Sequence, residues 1–108
     1  MRIQPAGDTL RIFEIQELDA GTATSFQDSI NEALTDRVRH LEVDLSSTVC
    51  LDSCGLGAIV ALRKLVAGRR GSVRLLNAAP PVQQMLELTR LYRLLEEVQR
   101  EEIAVTTD

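Results

Sequence analysis

The spacing of apolar side chains changes between residues 40 and 66. Leu41, Val43 and Leu45 occupy every second position and alternate with the acidic residues Glu42 and Asp44. This period of two is typical of a β-strand with one buried face. From residue 56 the apolar residues recur every three or four positions, which is typical of a helix with one buried stripe. The apolar residues of that second segment are Leu56, Ile59, Val60, Leu62, Leu65 and Val66. The change of period predicts a strand followed by a helix.

The residues before this segment show the same alternation of strand-like and helix-like patterns. A turn at Gly7-Asp8 predicts a hairpin whose arms are residues 2–4 and 9–15. A helix with an apolar stripe is predicted to follow, with Thr22 or Thr24 as its N-cap. The stripe consists of Phe26, Ile30, Ala33 and Leu34.

The residues after it continue the alternation. Residues 73–76 predict a short strand that is apolar enough to be buried on both faces. Pro80-Pro81 predicts the start of another helix, whose buried stripe is Val82, Met85, Leu86 and Thr89. Residues 91–105 leave two alternatives, which are one helix or a strand over residues 94–98 followed by a short helix. The alternation as a whole predicts an α/β domain.

Composition and charge exclude several classes of protein. Hydrophobic residues make up 44% of the 108 residues but aromatic residues only 3%, which predicts an aliphatic core in a single domain. The net charge of −4 and the few aromatic side chains argue against nucleic-acid binding. No apolar run is long enough to span a bilayer, and residues 1–7 lack the pattern of a signal peptide. We therefore expect a cytoplasmic protein with no membrane partner.

The nucleophilic and metal-ligating residues do not form a catalytic or metal-binding pattern. Cys50 and Cys54 are predicted to be buried, unreactive thiols, and the single histidine, His40, is distant from them in sequence. We therefore expect no metal and no cofactor. A Ser–His–Asp hydrolase would have to use Ser53 and His40, but the chain lacks the G-x-S-x-G pattern. We expect no catalytic residues and no enzymatic activity.

The segment from Val49 to Leu56 carries the strongest indication of function. A short apolar run ends at Leu51, and Asp52 and Ser53 separate it from the following helix. Functional loops of α/β sheets follow the carboxyl ends of strands. Ser53 would place a small, reachable hydroxyl there. The alternative is that Ser53 is only the N-cap of the helix, and the two interpretations are compatible.

Five segments also form a set by their order and spacing. They are Glu17-Leu18-Asp19, Leu41-Glu42-Val43-Asp44-Leu45-Ser46, Leu51-Asp52-Ser53-Cys54-Gly55-Leu56-Gly57, Asn77-Ala78-Ala79-Pro80-Pro81-Val82 and Leu86-Glu87-Leu88-Thr89-Arg90-Leu91. This set resembles the motifs of STAS domains, and in particular those of bacterial anti-sigma factor antagonists. The third segment resembles the family's Asp-Ser-(Ser/Thr)-Gly-Leu-Gly motif, with Cys54 in place of the second hydroxyl residue. Gln16 and Arg90 also stand where the family has glycine.

The resemblance implies a fold. It implies a single STAS-like domain over residues 1–108, with a small mixed β-sheet of about four to five strands and about four helices packed mainly on one face. It also favours a strand followed by a helix in residues 91–105.

The resemblance further implies a function, because the family serine directly after the aspartate is phosphorylated and Ser53 occupies that position. The unphosphorylated protein would bind an anti-sigma factor that is also a GHKL-type serine kinase, and so release its sigma factor. Phosphorylation of Ser53 would turn binding off, and a PP2C-type phosphatase would restore it. We expect a monomer or weak dimer. The implied partner-binding residues are Asp19, Asp52, Ser53, Cys54, Gly55 and Leu56.

Two alternatives remain from the sequence. STAS-like domains also serve as stressosome scaffolds, as regulators of secretion or biofilm pathways, and as subunits of lipid-transport complexes, without a sigma factor role. Asp19 and Asp52 are in addition residue types that commonly stabilise turns and helix starts without contacting a partner.

Overall fold

A computed structural model describes residues 1–89, and the predictions for residues 91–105 lie outside the described residues. The elements of the described part are β1 (Arg2–Ala6), β2 (Thr9–Phe13), β3 (Glu17–Leu18), α1 (Ala23–Ala33), β4 (His40–Asp44), β5 (Cys50–Leu51), α2 (Ser53–Ala67), β6 (Ser72–Leu76) and α3 (Pro80–Thr89). Strands and helices alternate along the chain, which confirms the predicted α/β class. Three helices lie within residues 1–89, whereas about four were predicted for the whole chain.

The first two strands form the predicted hairpin, and its first arm extends to Ala6 rather than ending at residue 4. β1 and β2 pair antiparallel around the two residues Gly7 and Asp8. Gly7 has a φ of 65°, the left-handed conformation that a tight hairpin turn requires at its first central position. Glycine adopts this conformation without the steric cost that a Cβ imposes.

The hairpin is the edge of a mixed four-stranded sheet. The strand order is β1-β2-β4-β6, and β2, β4 and β6 run parallel to one another. Parallel neighbours need crossover connections, and α1 and α2 lie in these connections. β3 and β5 form a separate two-stranded parallel sheet. The small mixed sheet predicted from the sequence is therefore confirmed, but the strand after Val49 does not join it.

Only one face of the four-stranded sheet carries the apolar core. Two rows of aligned side chains, each contributed by β2, β4 and β6, are buried on that face. The rows are Leu10–Leu41–Val73 and Ile12–Val43–Leu75. The prediction that β6 is buried on both faces was wrong, because its remaining residues are exposed or half-buried. The helices therefore pack on one face, as predicted.

The opposite face of the sheet carries a row of charged residues. Arg11, Glu42 and Arg74 are aligned across β2, β4 and β6. One carboxylate oxygen of Glu42 lies 3.4 Å from Nε of Arg11, and the other lies 3.3 Å from Nη1 of Arg74. This arrangement pairs opposite charges on neighbouring strands, which favours the observed register. It also explains why β4 alternates apolar and acidic residues.

The helices bury most of the apolar residues that the sequence predicted, but in α2 Val60 is half-buried and Leu65 is 40% exposed. Phe26 and Ile30 of α1 are buried, with Ala33 and Leu34 packed against the core. In α3, Val82 and Leu86 are buried and Met85 is half-buried. The buried side chains of α2 include Leu56, Ile59, Leu62 and Val66. None of these helices, all within residues 1–89, is long and apolar enough to cross a membrane.

One arginine joins the end of α2 to the loop that follows α1. Nη1 of Arg69 donates hydrogen bonds to the carbonyl oxygens of Thr35, at 2.6 Å, and Val38, at 3.0 Å. These carbonyls belong to a loop outside the helices and strands, and the carbonyl of Thr35 also accepts from the N–H of Val38 at 3.1 Å. The half-buried Arg69 side chain therefore fixes the approach of the chain to β4.

We expect Arg69→Met to lower the free energy of unfolding by about 1–2 kcal/mol, because two carbonyls lose a charged donor. Urea denaturation of the purified protein measures this change. Arg63→Met is the matched control, since Arg63 is an exposed residue of α2 with no hydrogen bond seen within residues 1–89. Equal unfolding midpoints for the two variants would contradict the assignment.

Candidate functional site

The pairing of β3 with β5 brings together two loops that are distant in sequence. Glu17 pairs with Cys50 and Leu18 pairs with Leu51, in parallel. The residue that follows each strand, Asp19 or Asp52, therefore lies at the same edge of the small sheet. The family resemblance implies that both aspartates are partner-binding residues, which requires them to lie close together. The structure brings them together as expected.

The two short strands are also held by hydrogen bonds between the residues that directly precede them. The backbone N–H of Val49 donates to the carbonyl of Gln16 at 2.9 Å. The Thr48 hydroxyl donates to the carbonyl of Ile15 at 2.6 Å, and the Thr48 residue is only 2% exposed. This buried threonine fixes the loop before β5, and no pattern in the sequence indicated its role.

Asp52 is the N-cap of α2. One of its carboxylate oxygens accepts a hydrogen bond from the N–H of Gly55 at 3.0 Å. The other accepts from the N–H of Ala20 at 3.1 Å. The hydrogen bond from Gly55 is the main reason why the pKa of Asp52 lies below its usual value, with a further contribution from Ala20. A single charged carboxylate thus starts α2 and ties it to the loop after β3.

The alternative that Ser53 is the N-cap is therefore excluded. Ser53 is the first residue of α2, and its side chain is exposed. Within residues 1–89 no hydrogen bond of its hydroxyl is seen. Because Asp52 supplies the cap, the Ser53 hydroxyl is available for chemistry.

The remaining predicted site residues lie at different depths. Cys54 is exposed, and Asp19 and Asp52 are half-buried. Gly55 and Leu56 belong to the first turn of α2 and are buried. Any contribution of these two residues to partner binding must come through their placement of Ser53, because their side-chain positions face the core.

Gly55 permits a close approach between α2 and β3. A Cβ built on Gly55 would lie 2.7 Å from the carbonyl carbon and 2.9 Å from the Cγ of Leu18, which are shorter than any real contact. Gly57 has no atom within 4 Å of its equivalent position. The two glycines of the motif therefore have different reasons to be glycine. Of the two, only position 55 requires glycine because a larger side chain would clash with its neighbours.

The loop of Asp19 is a compact turn. One carboxylate oxygen of Asp19 accepts from the N–H of Gly21 at 3.0 Å and from the Thr22 hydroxyl at 3.2 Å. Thr22 is the N-cap residue of α1, but its side chain makes no capping hydrogen bond. Its hydroxyl instead accepts from the N–H of Asp19, and its one proton is shared between the carbonyl of Glu17 and the Asp19 carboxylate. Asp19 and Asp52 thus have clear structural roles in addition to any role in binding.

The prediction of buried thiols was wrong. Cys50 and Cys54 are both exposed, and neither forms a disulfide. Val49, which the sequence placed in a buried run, is 82% exposed. The reason is that β5 has only two residues, and of the run only Leu51 turns its side chain inward. We call the exposed side chains of Val49, Cys50, Ser53 and Cys54 the β5–α2 surface.

The histidine is engaged elsewhere. Nδ1 of His40 lies 3.0 Å from the Ser72 hydroxyl, and Nε2 lies 3.8 Å from a carboxylate oxygen of Asp8. His40 begins β4, whereas Ser53 follows β5. The structure therefore does not pair the two residues that a hydrolase would need. In the described part of the chain, no group of three or more His, Cys, Asp or Glu side chains is arranged to hold a metal ion.

Comparison with known proteins identifies the fold. The sequence model of the STAS domain matches residues 4–104. The chain belongs to the STAS domain family. The anti-sigma F factor antagonist of Paenibacillus polymyxa is 29% identical over 80 residues, which are 73% of this chain and 68% of the relative. The resemblance stated from the sequence motifs is confirmed.

Solved STAS-type structures share the architecture. A putative anti-sigma factor antagonist from Thermotoga maritima superposes with a TM-score of 0.78 and 22% identity, covering 94% of this chain and 92% of the other. The Bacillus cell fate determinant SpoIIAA, in its phosphorylated form, superposes with a TM-score of 0.64 and 19% identity, covering 92% and 96%. These similarities confirm the fold of this STAS domain.

Substitution of the two motif glycines tests the packing of the STAS domain. We expect Gly55→Ala to lower the free energy of unfolding by about 1–3 kcal/mol, because the methyl group must displace Leu18 or shift α2. Gly57→Ala is the matched control. It should be neutral or stabilising by up to ~1 kcal/mol, because alanine favours a helix more than glycine does. Urea denaturation compares the two, and identical midpoints would show that Gly55 is not tightly packed.

The charge of Asp52 should make stability depend on pH. Because folding lowers the pKa of Asp52, its stabilising contribution is present above the unfolded pKa, ~3.9, and is lost as the pH falls through the folded value. Asp52→Asn should therefore be less stable than the unsubstituted protein at neutral pH, and the difference should shrink on acidification. Urea denaturation across this pH range measures it.

The matched control for this prediction is Asp28→Asn. Asp28 is an exposed residue of α1 with no hydrogen bond seen in the described part of the chain. Its substitution should leave stability almost unchanged at every pH. A stability difference for Asp52→Asn that did not depend on pH would contradict the role of the charge.

Proposed function

We propose that this chain, as one domain over residues 1–108, is an anti-sigma factor antagonist that is switched by phosphorylation of Ser53. The unphosphorylated form binds an anti-sigma factor, which is also a GHKL-type serine kinase, and releases its sigma factor. The phosphorylated form does not bind, and a PP2C-type phosphatase regenerates the active form. In this mechanism the domain is the substrate of the kinase and has no catalytic residue of its own.

One observation carries the proposal, which is the exposed hydroxyl of Ser53 at the start of α2. A kinase must reach its target hydroxyl from solvent, and Ser53 is exposed. Asp52, and not Ser53, is the N-cap of α2, so the Ser53 hydroxyl is not engaged in a capping hydrogen bond. The name of the Paenibacillus relative, an anti-sigma F factor antagonist, and the existence of a phosphorylated form of SpoIIAA support the same mechanism.

A phosphate on Ser53 would remain directed outward. A helix N-terminus normally attracts an anion through its free N–H groups. Here the N–H of Gly55 already donates to Asp52, so one of the donors that a phosphate would use is occupied. The negative charges of Asp52 and Asp19 lie at the same edge of the small sheet. They disfavour any inward movement of the new dianion.

Phosphorylation of Ser53 changes the charge of the surface that a partner would contact. The β5–α2 surface contains an exposed valine, two thiols and the serine hydroxyl, all of which are uncharged when unmodified. A phosphate adds about −1.5 to −2 charges to it at neutral pH. Burying such a charge against an apolar contact costs several kcal/mol, and each ~1.4 kcal/mol reduces affinity tenfold. One phosphate is therefore sufficient to prevent binding without any change of fold.

Incubation with ATP and a candidate GHKL-type kinase tests the proposal, with the phosphate mapped by mass spectrometry. We expect the phosphate on Ser53 alone. Ser53→Ala should bind the kinase but accept no phosphate, and Ser53→Asp should bind at least about tenfold more weakly, a loss of ~1.4 kcal/mol. Isothermal calorimetry measures both affinities.

Ser25→Ala is the control, because Ser25 is an exposed serine on α1. It should bind and accept phosphate like the unsubstituted protein. The proposal fails if Ser53→Ala and Ser53→Asp bind equally well and the phosphate maps elsewhere. A chain that is never phosphorylated and stays in a stable complex would instead be a STAS scaffold or regulatory subunit.

A further inference from the structure

The single histidine of the chain belongs to a cluster that the proposed function does not use. His40 begins β4, and in the register of the four-stranded sheet it lies between Thr9 of β2 and Ser72 of β6. Asp8 belongs to the hairpin turn that directly precedes Thr9. Ser72 follows the end of α2, whereas Ser53 starts this 15-residue helix. The cluster and the proposed phosphorylation site therefore lie at opposite ends of α2.

Three side chains of this cluster contact one another in a definite order. Nδ1 of His40 lies 3.0 Å from the Ser72 hydroxyl, and Nε2 lies 3.8 Å from a carboxylate oxygen of Asp8. A carboxylate beside Nε2 favours the tautomer with its proton on this nitrogen, which leaves Nδ1 as an acceptor. The Ser72 hydroxyl therefore donates to Nδ1. A hydroxyl that donates to a base, which a third group orients, is the arrangement of an activated nucleophile.

The surrounding backbone and a threonine hold this arrangement in place. The carbonyl of Asp8 accepts a hydrogen bond from the N–H of His40 at 3.1 Å, so the main chain also joins these two residues. The Thr9 hydroxyl donates to the other carboxylate oxygen of Asp8 at 3.3 Å. His40 and Ser72 are fixed by the pairing of β4 with β6. The cluster therefore lies on rigid elements, which keep a reactive group in its working geometry.

Ser72 differs from the other serines of the described chain in its contact with a base. A serine hydroxyl is a weak nucleophile unless an adjacent base accepts its proton. The chain has only one histidine, and its Nδ1 contacts Ser72. Ser72 is exposed and His40 is half-buried, so a small reagent can reach the hydroxyl from solvent. Exposed serines such as Ser25 and Ser47 lack this contact.

Two arginines place positive charge at the same end of the domain. Arg39 directly precedes His40, and its carbonyl accepts from the N–H of Ser72 at 3.2 Å. Arg70 lies two residues before Ser72 and has a φ of 58°, a conformation in which glycine would be more stable. Both side chains are exposed, and neither forms an ion pair in the described part of the chain. Guanidinium groups in this position favour a reagent that carries a phosphate.

We propose that Ser72 is a modification site that accepts the acyl group of a small acyl phosphate. The Ser72 oxygen attacks the acyl carbon while Nδ1 of His40 takes up the hydroxyl proton. The bond between the acyl carbon and the phosphate oxygen breaks, and the departing phosphate receives the proton from His40. The products are an ester on Ser72 and inorganic phosphate, so the step needs no further reactant. It modifies the domain once, is not turnover, and does not depend on the phosphorylation of Ser53.

Incubation of the full chain with acetyl phosphate tests the proposal. The chain carries Cys50→Ala and Cys54→Ala in all comparisons, because exposed thiols would compete for the acetyl group. We expect mass spectrometry to show one added acetyl group and peptide mapping to place it on Ser72. Ser72→Ala should lack this acetyl group. Ser47→Ala is the matched control and should react like the parent chain, because Ser47 is an exposed serine outside the cluster.

Two further variants separate a chemical role of the cluster from a structural one. His40→Ala should acquire the acetyl group on Ser72 at least about tenfold more slowly, because the base is lost. Added imidazole should accelerate this variant more than the parent chain, which would not occur if His40 only stabilised the fold. Asp8→Asn should also slow the reaction, because Asp8 positions His40 and favours its reactive tautomer. Circular dichroism checks that both variants are folded.

The arginines are tested by comparing two reagents. Combined Arg39→Gln and Arg70→Gln should slow the reaction with acetyl phosphate by about threefold or more, while the reaction with the neutral p-nitrophenyl acetate should be unaffected. Equal slowing of both reagents would refute the preference for an acyl phosphate. The assignment of Ser72 fails if the acetyl group maps only to other residues, such as Lys64. It also fails if His40→Ala modifies Ser72 as fast as the parent chain does.

Discussion

The Asp52 carboxylate holds together the part of the structure on which the proposed function depends. Its two oxygens accept hydrogen bonds from Gly55, in the first turn of α2, and from Ala20, 32 residues earlier in the chain. The first bond starts the helix and the second fixes the loop after β3. Because both bonds need an ionised carboxylate with two acceptor oxygens, no other residue of similar size can replace the pair. The positions of Ser53 and Asp19 follow from this one side chain.

The same constraint explains why the residues from 52 to 56 have different structural roles. Asp52 caps α2, and Gly55 lets the helix lie directly against the backbone of Leu18. Leu56 turns inward and anchors the first turn in the core. With these three residues meeting the structural requirements, Ser53 and Cys54 are left exposed with no part in packing. A surface position that packing does not restrict can accept a phosphate, or another group, without a cost in stability.

The sequence predicted the fold well where a pattern extended over several residues. The alternation in β4 and the stripes in α1 and α2 were long enough to define a buried face. The prediction failed in short elements. Val49 and Cys50 are apolar, yet β5 is so short that only Leu51 faces the core, and burial there depends on the distant partner strand β3, where Leu18 pairs with Leu51. Likewise Asp52 and Ser53 are both good N-caps, and Asp52 is the cap because its carboxylate accepts from Gly55 and also from Ala20, a contact with a distant loop that the sequence does not show.

The location of the site outside the main sheet favours a local switch. The four-stranded sheet is held by the apolar rows on one face and by Glu42 between Arg11 and Arg74 on the other. Ser53 belongs to neither group, since it follows the separate pair β3 and β5. A charge added at Ser53 therefore has no direct contact with the interactions that stabilise the fold. In the proposed function, a partner that recognises the β5–α2 surface can therefore respond to the phosphate while the rest of the domain stays unchanged.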